Sequence, residues 1–152
     1  MAIDDSGEWW VGSEAADIET YLAAYTQSEG AYSTTAYRVI ICSCGSDRFS
    51  LERASEVTRR RCAACGCSGY ICRQAEDWEE AEVEEEVEPY LCVHCGCQEA
   101  NIGVGFTGYE PLEFDAVKWF FVGVRCADCG ILGCFNDGKV GWGPADQVYE
   151  SI

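Results

Sequence analysis

Twelve of the 152 residues are cysteine, and eight of them fall into four short pairs, each followed by glycine. The pairs are Cys42-Ser-Cys44-Gly, Cys62-Ala-Ala-Cys65-Gly, Cys92-Val-His-Cys95-Gly and Cys126-Ala-Asp-Cys129-Gly. Two thiolates separated by two residues and closed by glycine form a tight turn that points both sulfurs to one side. The glycine takes the positive φ that lets backbone N–H groups face them. Two such turns facing each other offer four sulfurs at tetrahedral corners, about 2.3 Å from a Zn²⁺. The spacing therefore predicts two Cys₄ metal sites, Cys42/Cys44/Cys62/Cys65 and Cys92/Cys95/Cys126/Cys129. Cys42-x-Cys44 is one residue short of the usual turn, which leaves the ligand geometry of the first site the less certain of the two.

The competing use of so many cysteines is a disulfide framework. Cysteines two apart are poor partners for each other, and the opening MAIDDSGEWW has neither a basic nor an apolar segment of a secretion signal. A reducing, cytoplasmic setting and metal binding are expected instead. Cys67, Cys72, Cys97 and Cys134 remain as alternative ligands, a third site or redox-active thiols; the ordinary expectation is that they are small buried hydrophobes. His94, inside a cysteine turn, is expected to face solvent.

No enzyme signature is present. A single histidine gives a His-dependent triad or multi-His site nothing to build on, and a filled Cys₄ zinc site has no open position for substrate. Gly103-Val-Gly105 lacks the strand–loop–helix setting of a phosphate cradle. No apolar run approaches the ~20 residues that cross a bilayer, so no membrane association is expected.

Charge is unevenly spread over a net −17. Residues 1–37 hold seven acids and no base, residues 38–73 seven arginines against three acids, and residues 74–152 seventeen acids against three bases. An acidic chain of this kind repels phosphate, so nucleic acid is an expected partner only locally, at Arg48, Arg53, Arg59, Arg60 and Arg61. A basic protein partner suits the remaining surface.

The elements that must hold the cysteines follow from periodicity. Residues 13–28 read as a helix with Ser13 as cap and Ile18, Tyr21, Leu22 and Tyr25 on one face, with Trp9 and Trp10 packing beneath it. Tyr37–Ile41, Phe49–Arg53, Val57–Arg61 and Tyr70–Cys72 read as strands around the first two turns. Ile102–Phe106, Val117–Val124 and Ile131–Phe135 read as strands around the second two. Trp119–Val124 is too apolar for an exposed strand and is expected to pack on the N-terminal helix or the other unit. Between the units, residues 76–88 carry nine acids; Trp78, Val83 and Val87 give a helical stripe that Pro89 ends. This run is expected as a solvated acidic connector, with docking onto the arginines of the first unit as the alternative.

Arg61-Cys-Ala-Ala-Cys-Gly66 and Arg125-Cys-Ala-Asp-Cys-Gly130 are near copies, so the chain holds two related units. At these residues it resembles zinc-ribbon proteins twice over, across 37–73 and 90–136. The resemblance implies a small mixed α+β, β-rich fold of two three-stranded units plus an N-terminal helix, with two structural Zn²⁺. The expected division is 1–36 helical segment, 37–73 first ribbon, 74–89 connector, 90–136 second ribbon and 137–152 loop-like tail. The second unit is also similar to rubredoxins, with thirty residues between Cys95 and Cys126, which implies iron and electron transfer. It departs from that pattern at Ala127, where proline is usual, and at Cys97, where an aromatic is usual. Ribbons act as parts of transcription and translation factors, adaptors and clamps. The reading that best joins size, charge and the lack of a catalytic constellation is a non-enzymatic protein with an acidic interaction surface, such as an inhibitor or immunity-type protein.

Overall fold

The computed structural model describes residues 9–28, 34–71, 75–84, 86–108 and 117–139. Helix α1 spans Asp17–Ser28 and helix α2 Ala75–Glu84. The strands are β1 Thr34–Val39, β2 Phe49–Ala54, β3 Val57–Cys62, β4 Ser68–Ile71, β5 Glu88–Pro89, β6 Glu99–Gly108, β7 Val117–Cys126 and β8 Leu132–Lys139. All eight belong to one antiparallel sheet, whose main path runs β4-β3-β2-β6-β7-β8.

The strands expected as two three-stranded units lie in that one sheet. β2 pairs with β6 through Phe49↔Ala100 and Ser50↔Glu99, fusing the two cysteine-bearing halves. The short first strand of each half pairs in the other half: β1 lies on β6 and β5 on β2. The exchange continues at matching places, with the Ile40 N–H donating to the Ile102 carbonyl at 3.0 Å and the Tyr90 N–H to the Leu51 carbonyl at 2.8 Å. A free three-stranded unit would leave β2 and β6 as open edges, and the fusion satisfies their backbone groups.

The sheet curls around one main core. Phe49 and Leu51 on β2, Ile102, Val104 and Phe106 on β6, and Phe120, Val122 and Val124 on β7 all face into it. Polar contacts close the curl, because Asn136 on β8 donates to Thr58 Oγ1 on β3 and to the Ser55 carbonyl. β8 runs to Lys139, three residues into the stretch read as tail; residues 140–152 lie outside the described residues. β7 buries both faces, which accounts for its apolar run. Phe120, Val122, Val124 and Cys126 enter the main core, and Phe121 meets Ile18 and Leu22 of α1.

Helix α1 starts later than its sequence suggests. The Asp17 carboxylate accepts from the backbone N–H groups of Ser13 and Glu14, so the cap is a carboxylate reaching back rather than the Ser13 hydroxyl. Trp10 meets Tyr21 edge-on at 5.9 Å, while Trp9 is half exposed. Gly123 lets the helix sit this close, since a Cβ there would fall 2.5 Å from Ile18 Cγ2.

Residues 75–84 form a docked helix, α2, rather than a solvated connector. Trp78 and Ala81 are buried against Ala54 and Val57, with Val87 alongside. Tyr70 lies 6.3 Å from the Trp78 ring. Val83 does not join them and is exposed, because five residues on from Trp78 is about 140° around the helix.

Candidate metal centres

The buried ends of the cysteine turns belong to the main core. Cys42, Cys62, Cys92 and Cys126, the first cysteine of each turn, are buried, whereas Cys44, Cys65 and Cys95 are exposed and Cys129 is half-buried. Each strand therefore leads a thiol out of the apolar cluster, and the turn presents its second thiol at the surface.

The turns bring the sulfurs together in two tetrads, each with its four Sγ atoms within 4.8 Å of one another. Cys42 Sγ lies 3.5 Å from Cys65 Sγ, and Cys44 Sγ 3.6 Å from Cys62 Sγ. In the second tetrad Cys92–Cys129 and Cys95–Cys126 are both 3.5 Å. Disulfide sulfurs would be about 2.0 Å apart. Corners of a tetrahedron around Zn²⁺ would be about 3.8 Å apart, from a 2.3 Å Zn–S bond. These thiols are free, and their spacing and soft, all-sulfur chemistry fit a tetrahedral metal ion.

Backbone geometry explains why the sequence folds so locally. Gly45, Gly66, Gly96 and Gly130 all have φ between +75° and +94°, the left-handed region in which a side chain is strained. In the three longer turns the glycine N–H donates to the carbonyl of the first cysteine four residues back, each at 3.0 Å. In the short turn Gly45 donates to Cys42 three residues back at 2.8 Å, and the strand bond closes one residue earlier, from the Cys42 N–H to Ser46. The missing residue is absorbed inside the turn, and the sulfurs still converge. The N–H groups of Cys65 and Cys129 point at Cys62 and Cys126 Sγ, both at 3.5 Å.

The electrostatics of four crowded thiols call for a cation. The Cys65 N–H is the main influence bringing Cys62 down to about 6. At Cys126 burial opposes ionisation, and the N–H groups of Cys129 and Asp128 outweigh it, again to about 6. The neighbours respond in the other direction. Cys44 is pushed up to about 12, the Ser46 N–H being outweighed by the thiols of Cys42 and Cys62. Burial and the same crowding push Cys129 to about 12. One thiolate per tetrad is tolerable alone; four require a positive ion at the centre. Bound there, the ion would supply cross-linking and charge neutralisation, and with four protein ligands it would have no open position.

Cys67, Cys97 and Cys134 belong to neither tetrad. Cys67 is exposed, contrary to the expectation of burial, because it ends a turn at the sheet margin; Cys97 and Cys134 are half-buried. Cys97 Sγ is occupied by the backbone of Glu99, and Cys72 lies outside the described residues. His94 is exposed.

The candidate nucleic-acid arginines make contacts within the fold. Arg48 bridges the halves, pairing with Glu99 and with Asp128 at 3.1 Å. Arg53 pairs with Glu88, donates to the Phe135 carbonyl and lies over the Phe135 ring. Arg59 pairs with Glu52 and stacks on Trp78 at 4.4 Å. Arg60 lies over Phe49 at 5.4 Å, and Arg61 is exposed.

Sequence reasoning missed Arg125 and Asn101. Arg125 donates to the Gly12 carbonyl and to Asn101 Oδ1, and Asn101 donates to the Asp47 carbonyl beside the first tetrad. This chain ties the N-terminal segment and both cysteine groups together. The one signal for it in the sequence is the Arg-Cys repeat, Arg61-Cys62 and Arg125-Cys126. Compared with protein-family models, curated proteins and solved structures, the chain gives no match.

Proposed function

We propose that this is a non-enzymatic zinc protein in which two Cys₄ sites, each part of a ribbon-like unit, hold a scaffold that acts through its acidic surface on a basic protein partner. The observation that carries the reading is the pair of closed thiol tetrads: they fit structural Zn²⁺ and leave no coordination position for substrate. Further support for two related units comes from matching bonds. Ala63 donates to the Arg48 carbonyl and Ala127 to the Glu99 carbonyl, at the same step after each pair of turns.

The acidic surface has a fixed part. With Trp78 and Ala81 turned inward, α2 presents Glu79, Glu80 and Glu82 to solvent around the exposed Val83. A docked helix holds these carboxylates in place before binding, which lowers the ordering cost of an encounter. Such a ridge suits a cationic surface with an apolar spot, as an inhibitor or immunity-type protein would need. Of the arginines named above as nucleic-acid candidates, Arg48, Arg53, Arg59 and Arg60 are engaged in pairs or ring contacts, so this surface is the better-prepared one.

Elemental analysis of the purified chain tests the metal. Two zinc ions per chain and no visible colour are expected, whereas a red protein with one iron would make it a rubredoxin-like electron carrier. Titration against a basic protein encoded beside it tests the surface. Binding should weaken with salt and be lost in Glu79→Lys/Glu80→Lys/Glu82→Lys; binding unchanged by that triple reversal would reject the ridge.

A further inference from the structure

The two tetrads share a backbone but not their nearest side chains. In a strand, residues i and i+2 share a face, so the residue two before each buried cysteine lies beside the sulfurs. At the first tetrad these are Ile40 and Arg60; at the second they are Tyr90 and Val124. The copies match down to the cross-strand partner: Arg60 faces Gly69 across β3–β4, and Val124 faces Gly133 across β7–β8. Gly69 makes room for the guanidinium, since a Cβ there would lie 3.1 Å from an Arg60 nitrogen. At Gly133 a Cβ would meet only Val124, at 3.8 Å.

Arg60 has little else to do. Its Nε is buried with no hydrogen-bond partner among the described residues and its plane rests on Phe49; burial disfavours its charge, and the nearby thiols of Cys42, Cys62 and Cys67 act the other way. The arginine beside each closing turn is matched in the two halves, since a Cβ at Gly66 would lie 3.7 Å from Arg61 Nη2 and one at Gly130 3.5 Å from Arg125 Nη2; where the first tetrad adds Arg60, the second has the Tyr90 hydroxyl beside Cys126. Its closing turn also carries Asp128 where the first carries Ala64.

We infer that Arg60 is an outer-sphere counter-charge to the first metal–thiolate site, and that the second site, with Val124 in the matching place, gives up its metal and exposes its thiolates first. Resting on the proposed zinc loading, the inference follows from charge: Zn²⁺ with four thiolates carries −2. A desolvated guanidinium beside it stabilises the loaded, deprotonated state and makes those sulfurs weaker nucleophiles. A hydroxyl dipole does less. Outer-shell partners of metal ligands are worth about tenfold to a hundredfold in metal affinity.

The test uses the full chain loaded with two equivalents of Zn²⁺ and a chromogenic chelator. Timed pulses of iodoacetamide are included, a neutral reagent whose carbon each thiolate alkylates with loss of iodide. Peptide mass spectrometry then reads the rate at each cysteine. In the wild-type chain Cys92, Cys95, Cys126 and Cys129 should be alkylated about tenfold or more faster than Cys42, Cys44, Cys62 and Cys65. Arg60→Met should bring the first group up towards the second and leave the second unchanged, with Arg60→Lys in between. Equal rates in the wild-type chain, or a first group that leads, overturn the inference even if Arg60→Met does not fold. Arg60→Met with unchanged rates overturns it as well. A chain that takes up no zinc removes the proposed function together with this inference; two zinc ions released at equal rates remove the inference alone.

Discussion

The two halves of the sheet are built on the same cysteine turns but supported in different ways. In the first half, β3 reads Val-Thr-Arg-Arg-Arg-Cys, and its outer face is covered by α2 through Trp78 and the Arg59 stack. In the second half, β7 reads Val-Lys-Trp-Phe-Phe-Val-Gly-Val-Arg-Cys and is apolar on both faces, with α1 bringing Ile18, Leu22, Tyr21 and Tyr25 against it. The first half thus leans on metal and charged stems, and the second adds an aromatic layer to its metal. Similar turns can close a tetrad under either regime because the knuckle is set by glycines and backbone bonds, not by the core behind it.

If that contrast holds, loss of one ligand should act differently in the two halves. Cys126→Ser removes a fully buried sulfur from the strand that joins both cores and leaves three thiols to crowd without their ion. Structural zinc binding is worth about 10 kcal/mol or more, and that energy is folding energy. The expected outcome is loss of the whole cooperative transition, read by near-ultraviolet circular dichroism. Cys62→Ser should be less far-reaching: amides of β6 and β7 should stay protected in hydrogen exchange while those of β3 and β4 exchange freely. Equal collapse in both variants would mean the sheet is one cooperative unit and the contrast has no energetic content.

A smaller effect probes how closely α1 is seated. Gly123→Ala would place a methyl 2.5 Å from Ile18 and 3.0 Å from Leu22, an overpacking that costs about 1–3 kcal/mol. The equivalent residue of the first half is Arg59, half-buried against Trp78. Arg59→Ala removes one stacked cation and a partly exposed ion pair, worth about 1 kcal/mol together. Denaturant midpoints should therefore fall further for Gly123→Ala than for Arg59→Ala. The reverse order would show that the charged support is the stronger.

Much of this arrangement is legible in the sequence where it is local. The two groups of four cysteines, the apolar face of α1 and the over-apolar β7 all follow from spacing and periodicity within about ten residues. What is not legible is pairing between distant segments. Nothing in Thr34–Val39 says that it will lie on β6 rather than on its own neighbour, and nothing in Phe49–Ser50 says that it will join Ala100 and Glu99. Antiparallel pairing needs only alternation and free backbone groups, which several strands offer equally. Gly103 and Gly123 are silent for a related reason. Each is needed only because a side chain from elsewhere, Tyr37 or Ile18, occupies the space of its missing Cβ. Val83 misleads by type, being apolar but on the wrong side of its helix.

The smallest expected effect concerns Cys134, a spare thiol packed beneath a helix. Cys134 lies against the α1 cluster at the place that Tyr70 takes beneath α2, and its sulfur contacts the Asn136 carbonyl. Burial, with Asp137 adding to it, pushes its pKa from 9 up to about 12. A thiol whose native pKa is raised stays neutral in the folded chain at a pH where the unfolded chain has ionised. Its contribution is therefore fully present below about pH 9 and is lost as pH climbs from there towards about 12. By pH 10 the loss should reach about 1 kcal/mol, at 1.4 kcal/mol per unit beyond 9. Melting temperatures measured between pH 8 and pH 10 should fall in the wild-type chain and fall less steeply in Cys134→Ala, which has no proton to lose there. A Cys134→Ala slope equal to wild type would mean that α1 does not seal this thiol from water. The second half would then be no better closed than the first.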